Sequence, residues 1–133
     1  MGTNQIIMKF LKFITFIVCL FSVNTINAQQ ILKKGFLVAC GDDKLFILDP
    51  AKSNESHTEI IWSWEVKNAE GLPKEYIPLL KSLDDCKPVM DNKKILATSS
   101  SGATILVNIA NKKVEFYAKT PMAHSADILP KNR

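Results

Sequence analysis

The stretch Phe36–Asp49, FLVACGDDKLFILD, reads as two short β-strands joined by a tight polar turn at residues 41–43. Apolar runs on both sides of a Gly-Asp-Asp sequence are typical of a β-hairpin. The stretch Ile95–Asn108, ILATSSSGATILVN, has the same order of strand, small polar turn, strand and polar end. Each hairpin is followed by a third run that carries aromatic residues, IIWSWE at 60–65 and VEFYAK at 114–119. The pattern predicts an all-β chain with two similar antiparallel sheets.

A second repeat gives the spacing of these units. LDDCKPVMDNKK at 83–94 precedes the second trio of strands, and AHSADILPKNR at 123–133 follows it. Aligning the two stretches gives an offset of about 40 residues, and four short strands within such a period are typical of a β-propeller blade. We therefore expect inner strands near 86–90 and near 125–129, each leading into three outer strands.

This count predicts two four-stranded antiparallel blades and the first strand of a third blade within residues 29–133. Because propellers usually have four to eight blades, we expect a fragment of a larger ring. A self-contained sandwich of seven strands and a ring assembled from several chains are the alternatives. Between the trios, residues 67–83 predict a loop with a short helical segment, in which Pro73 suits the first turn and Pro78 introduces a kink.

Residues 1–28 have the pattern of a cleavable signal peptide. Lys9 and Lys12 supply positive charge, and Phe13–Val23 supplies an apolar run. A short polar stretch follows and ends in the small residue Ala28, as expected before a cleavage site. The apolar run is much shorter than the roughly 20 residues that a membrane-spanning helix needs. The sequence therefore predicts an exported protein, periplasmic or extracellular, without a stable membrane span after cleavage.

Charge and cysteine content narrow the function classes. The net charge is +4 in 133 residues. The sequence has no basic stripe with interleaved aromatic residues, so it does not predict nucleic-acid binding. Cys40 and Cys86 follow the predicted leader, and an exported protein is permitted a disulfide. Buried free thiols are the alternative that we favour from the sequence. The cysteine spacing matches no metal motif, and no cofactor fingerprint is present.

The second repeat also carries the polar residues that we assign to a ligand-binding site. The offset places Asp84 and His124 at the same position of successive units, at the entrance to the inner strand, where propellers commonly bind ligands. A carboxylate and an imidazole on neighbouring blades can share a ligand or a proton. Capping of strands and bonding to loop amides is the alternative. The predicted site consists of Asp84, Asp85, Lys87, His124 and Ser125, with Asp127 in the same stretch.

Trp62 and Trp64 lie two residues apart, so on a strand their side chains share one face. Two exposed indoles could stack on sugar rings, whereas two buried indoles would pack between blades. We favour packing, and Tyr117 at the corresponding place in the second trio fits the same role between blades.

Several of these motifs resemble the opening of an uncharacterised family of exported bacterial β-propeller proteins, similar to WD40-like and quinoprotein-like propellers. The resemblance covers residues 35–133 and rests on GFLVACGDDKLFILD, IIWSWE, LDDCKPV and AHSADILPKNR. LPKNR at 129–133 is similar to the LPDGR turn of propellers, with Asn132 in place of the glycine. The resemblance implies a six-bladed fold and export, and it implies no catalytic residues.

From the sequence we expect a non-catalytic propeller that binds a ligand or partner, with a carbohydrate as the leading candidate. The alternative is a glycan-active enzyme, a polysaccharide lyase or hydrolase, with Asp84 and His124 as acid and base. A purely structural assembly module is a third alternative. Fold does not choose between these functions.

Overall fold

The computed structural model of the protein describes residues 35–130, so the predicted signal peptide at 1–28 lies outside the described residues. Within these residues, two antiparallel sheets of three and four strands make up the fold, and the strands of each sheet follow one another in chain order. This confirms the predicted all-β class, but the first sheet has three strands within residues 35–130, where the sequence predicted four. The first sheet contains β1 (Leu37–Gly41), β2 (Lys44–Leu48) and β3 (Ile60–Glu65), and the second contains β4 (Leu83–Val89), β5 (Lys94–Ser99), β6 (Ala103–Asn108) and β7 (Val114–Lys119).

The turn between β1 and β2 fixes the start of β4. Asp42 adopts a left-handed conformation with φ of 52°, which aspartate tolerates better than most residues. Its carbonyl accepts a hydrogen bond from the Leu83 amide at 2.8 Å, and the Asp43 carbonyl accepts one from the Val66 amide at 3.0 Å. The second sheet therefore begins at a defined place beside the first, and β4 starts at Leu83, three residues before the predicted position.

The two sheets pack face to face over one apolar core. Both tryptophans are buried in it, which confirms the packing interpretation. Trp62 Nε1 donates to the carbonyl of Ile109 at 3.0 Å, and Trp64 Nε1 donates to that of Lys112 at 3.1 Å. The other large residues of this core are Leu45, Ile47, Val66, Leu80, Leu83, Ile95, Ile105, Val107, Ile109 and Val114.

In the part of the chain that the structure describes, three short 3₁₀ helices lie in the connections between strands, at Pro50–Lys52, Val66–Asn68 and Lys74–Leu80. The last of them contains Pro78 and buries Leu80. Its Tyr76 ring packs edge-on against Tyr117 of β7, with ring centroids 4.8 Å apart. Tyr117 therefore contacts the inserted segment, and it projects from the same face of the second sheet as Ile105, the face that packs on the first sheet.

Residues 123–130 contain no β-strand, so the prediction of a strand at 125–129 is wrong. A strand needs a neighbour for its backbone N–H and C=O groups. The segment runs beside β4 but meets it through side chains, and among the described residues no further strand lies next to it. The local sequence favours extended backbone, but the segment pairs with no strand among the described residues and is therefore not a β-strand.

Candidate functional site

The predicted site residues come together where the segment 123–130 crosses β4. Three pairs of side chains face each other. The Lys87 Nζ lies 3.0 Å from Asp127 Oδ1, and Ser125 Oγ donates to Asp85 Oδ2 at 2.9 Å. The His124 Nδ1 lies 3.7 Å from Asp84 Oδ2. We call these residues the inner cluster: Asp84, Asp85, Lys87, His124, Ser125 and Asp127.

The two partners in each pair are 40 residues apart in the chain. Asp84 meets His124, Asp85 meets Ser125, and Lys87 meets Asp127. Residue numbers rise together along both segments, so the two segments run in the same direction. Residues that the sequence repeat aligns at an offset of 40 are thus in contact with each other in the structure.

The register of the second sheet explains why these side chains face the segment. Asp85 pairs with Thr98 of β5, and Lys87 pairs with Leu96. Cross-strand partners project from the same face of a sheet. Leu96 lines a cavity beneath the segment 123–130, on the side of the sheet opposite the core. Asp85 and Lys87 therefore project toward the segment.

Asp84 differs from its neighbours because the register shifts between Leu83 and Asp85. Its carboxylate turns to the loop between β5 and β6, where Oδ2 accepts the Ser100 amide at 2.6 Å. Bonding to a loop amide is the alternative that the sequence left open for this residue. Asp84 thus holds a turn in place as well as facing His124.

Lys87 is the centre of the inner cluster. Its ammonium group contacts Asp127, Ser125 at 3.3 Å and Asp85 at 3.5 Å. The hydrogen bond to Asp127 raises the pKa of Lys87 above its ordinary value, and the Asp85 carboxylate adds to the increase while desolvation opposes it. The lysine therefore stays charged throughout the neutral pH range.

The inner cluster is open on the side of the segment. The side chains of His124 and Asp127 are each 76% exposed, whereas those of Lys87 and Asp85 are about 30% exposed. A ligand would meet the imidazole and the Asp127 carboxylate first and reach the ammonium group between them.

An apolar cavity of about 460 Å³ lies directly below, between the segment and the second sheet. Leu96, Leu106 and Phe116 form its floor, and Ala126 and Ile128 of the segment form its roof. Its polar lining residues are Thr104, Thr120 and Asp127, and the two threonine hydroxyls bond each other at 2.8 Å.

No group of three or more histidine, cysteine, aspartate or glutamate side chains within residues 35–130 is placed to hold a metal ion. Within the same residues, no helix is long and apolar enough to cross a membrane.

Comparison of the sequence with known protein families identifies the family of the chain. A family of unknown function, DUF6528, matches residues 10–133. The chain belongs to this family. No curated protein and no solved structure matches the chain. The DUF6528 match includes both sheets, the inner cluster and the cavity, so these features lie within the region that defines the family.

Sequence reasoning missed the cavity, although β5 and β6 are apolar on both faces, a pattern that marks a sheet covered on both sides. It offered a loop amide as an alternative partner for Asp84, but it did not identify that amide as Ser100. The sequence places Asp127 in the same stretch as His124 and Ser125. Its charge is opposite to that of Lys87, 40 residues earlier, and this was the signal for the contact between them.

Proposed function

We propose that the protein is an exported β-propeller module that binds a polar, hydroxyl-rich ligand at the inner cluster. The observation that carries the proposal is the row of three contacts at an offset of 40 residues. The row supports the propeller architecture, because it relates two segments at the repeat offset. It also supports the ligand site, because it brings polar side chains together between those segments.

The direction of β4 and the segment 123–130 supports propeller blades. Successive inner strands of a propeller run in the same direction around a central channel, and each belongs to a different sheet. They therefore meet through side chains and not through a backbone ladder. β4 and the segment 123–130 meet in this way, at an offset that equals the repeat length.

The two faces of the second sheet add to the argument. One face packs on the first sheet, and the other is apolar at Leu96, Leu106 and Phe116. A blade inside a ring has a neighbour on both faces, so both faces are expected to be apolar. A sheet with one face permanently in water would instead alternate apolar and polar residues.

The ligand class follows from the groups that the inner cluster offers. Its accessible edge presents an ammonium group, a hydroxyl group, carboxylates and an imidazole within one short row. Alternating donors and acceptors of this kind match the neighbouring hydroxyl groups of a carbohydrate. We therefore propose a glycan.

An array of neutral and acidic oligosaccharides tests the site, using the wild-type chain, Lys87→Met and Lys67→Met. Lys67 forms an exposed ion pair with Glu65 at 2.8 Å, outside the inner cluster, so it is the matched control. Loss of hydrogen bonds to a charged group should weaken binding about tenfold or more in Lys87→Met. Lys67→Met should bind like wild type. Equal loss in both variants, or no bound glycan at all, contradicts the proposal.

A glycan-active enzyme is the second candidate, and the Asp84–His124 pair favours it. A carboxylate 3.7 Å from an imidazole can orient it for proton transfer. Analysis of the products after incubation with each bound glycan separates the candidates. Cleavage that is lost in His124→Gln, with glycan binding retained, indicates an enzyme, whereas binding without cleavage indicates a binding module.

Export is the remaining part of the proposal, and residues 1–28 support it. Expression of the full chain in a bacterial host, followed by N-terminal sequencing of the protein outside the cytoplasm, tests this. We expect a start close to Gln29. A full-length protein confined to the cytoplasm contradicts export.

A further inference from the structure

Two cysteines face each other across the contact between β1 of the first sheet and β4 of the second. Cys40 on β1 pairs with Leu45, and Cys86 on β4 pairs with Ala97. Leu45 and Ala97 are fully buried in the core between the sheets. Since cross-strand partners share a face, both cysteine side chains project into this interface.

The contact between the two strands brings the thiols close. β1 and β4 are in direct contact, and both cysteines pack against the same core. Each thiol shifts the pKa of the other, as neighbouring groups do. A disulfide needs Cβ atoms about 4 Å apart that point toward one another. Side chains that project into one interface from two strands in contact can meet this requirement.

We propose that Cys40 and Cys86 are a disulfide-forming pair that joins the two sheets when the protein meets an oxidant of the disulfide class. Two S–H bonds break and one S–S bond forms. Two electrons and two protons pass to the disulfide of the oxidant, which leaves as two thiols. The link joins β1 to β4 and closes residues 41–85 into a loop. It does not depend on ligand binding at the inner cluster.

The environment of the thiols sets the conditions for the reaction. Burial raises the pKa of both thiols, and the carboxylates of Asp84 and Asp85 add to the increase at Cys40. The thiolate is the attacking form, so oxidation is slow at neutral pH and faster in alkaline solution.

Peptide mapping of the folded full chain tests the proposal. The chain is oxidised with glutathione disulfide at alkaline pH, free thiols are alkylated, and the protein is cut with trypsin. We expect the peptides 35–44 and 82–93 to be joined, with two hydrogen atoms fewer than their sum, and to separate on reduction. Cys19→Ser should keep this link, and Cys40→Ser should abolish it.

Other outcomes overturn the proposal. These are a link between two chains, a link that forms only after unfolding in urea, and no link at all. The urea midpoint gives a second readout. A link within the folded chain should raise the midpoint, because it restricts the unfolded state. Cys86→Ser should show no such rise on oxidation, and a fall in the wild-type midpoint would show that the native interface does not accommodate the bond.

Discussion

The two faces of the second sheet carry similar residues and are covered in different ways. On β6, Ile105 and Val107 point to the first sheet and are fully buried. Leu106, between them, points to the cavity under the segment 123–130, where Phe116 is still 52% exposed. One face is sealed by a sheet, and the other is bridged by a single segment. An apolar face alone therefore does not determine how completely it is covered.

The first sheet and the segment 123–130 lie on opposite faces of the second sheet and are held there by different contacts. The first sheet is attached by indole N–H groups that donate to buried or partly buried carbonyls, and by the backbone bond from Leu83 to Asp42. The segment is attached by exposed polar side chains of the inner cluster. Exposed ion pairs contribute little to stability, whereas buried apolar contacts contribute much. The sealed face should therefore dominate the free energy of unfolding.

The largest expected effect comes from truncating neighbouring residues of β6 that point to opposite faces. Ile105→Ala leaves a closed void and should cost about 4 kcal/mol, whereas Leu106→Ala enlarges an existing cavity and should cost about 2 kcal/mol. Urea unfolding of both variants gives the two free energies. Equal losses would mean that both faces are sealed equally well.

A smaller loss is expected when one indole hydrogen bond is removed. Trp62→Phe keeps an aromatic ring but leaves the Ile109 carbonyl without its donor, which should cost about 1–2 kcal/mol. Trp64→Phe is the matched variant, and its bond to Lys112 is only partly buried, so its cost should be lower. The reverse order, measured by thermal or urea unfolding, would contradict the assignment of the sealed face.

Phe116→Ser tests the open face. Because the ring is half exposed, we expect a change of stability below about 0.5 kcal/mol. The variant should bind less of an apolar fluorescent dye than wild type, since the cavity floor loses its most exposed apolar residue. Tyr117→Ser is the control on the opposite side of β7, and it should leave dye binding unchanged. A large loss of stability in Phe116→Ser would show that the open face is as well packed as the other.

The smallest effect is a pH dependence at the polar edge of the open face. A hydrogen bond from Lys94 lowers the pKa of Glu115 from its ordinary value near 4.5, and Asn108 adds to the shift. The stabilisation is therefore present above about pH 4.5 and lost as the pH falls through the lowered value. Lys94→Met should be slightly less stable than wild type at pH 7 and indistinguishable from it in strong acid. A difference that persists in acid would contradict this origin.

The sequence predicted the hairpins and the third strand of each trio, because alternating apolar runs and turn residues are local signals. Its failure at residues 125–129 did not arise locally. These residues form no strand, because a strand needs backbone partners on a neighbouring strand, and the local sequence does not supply them. The contact of Tyr117 with Tyr76 also depends on a distant part of the chain, because the insertion covers that part of β7. The inner cluster was predicted from the repeat offset, whereas its hydrogen bonds depend on the register of β4 and could not be.

The row of contacts at an offset of 40 residues has a consequence for the history of the chain. If the repeated units arose by duplication, Asp84, Asp85 and Lys87 of β4 each contact the residue that descends from the same ancestral position. Identical side chains would have faced each other at first, and two lysines or two aspartates in contact repel. The present pairs of lysine with aspartate and aspartate with serine are then the product of divergence. In relatives, a change at position 87 should be accompanied by a compensating change at position 127.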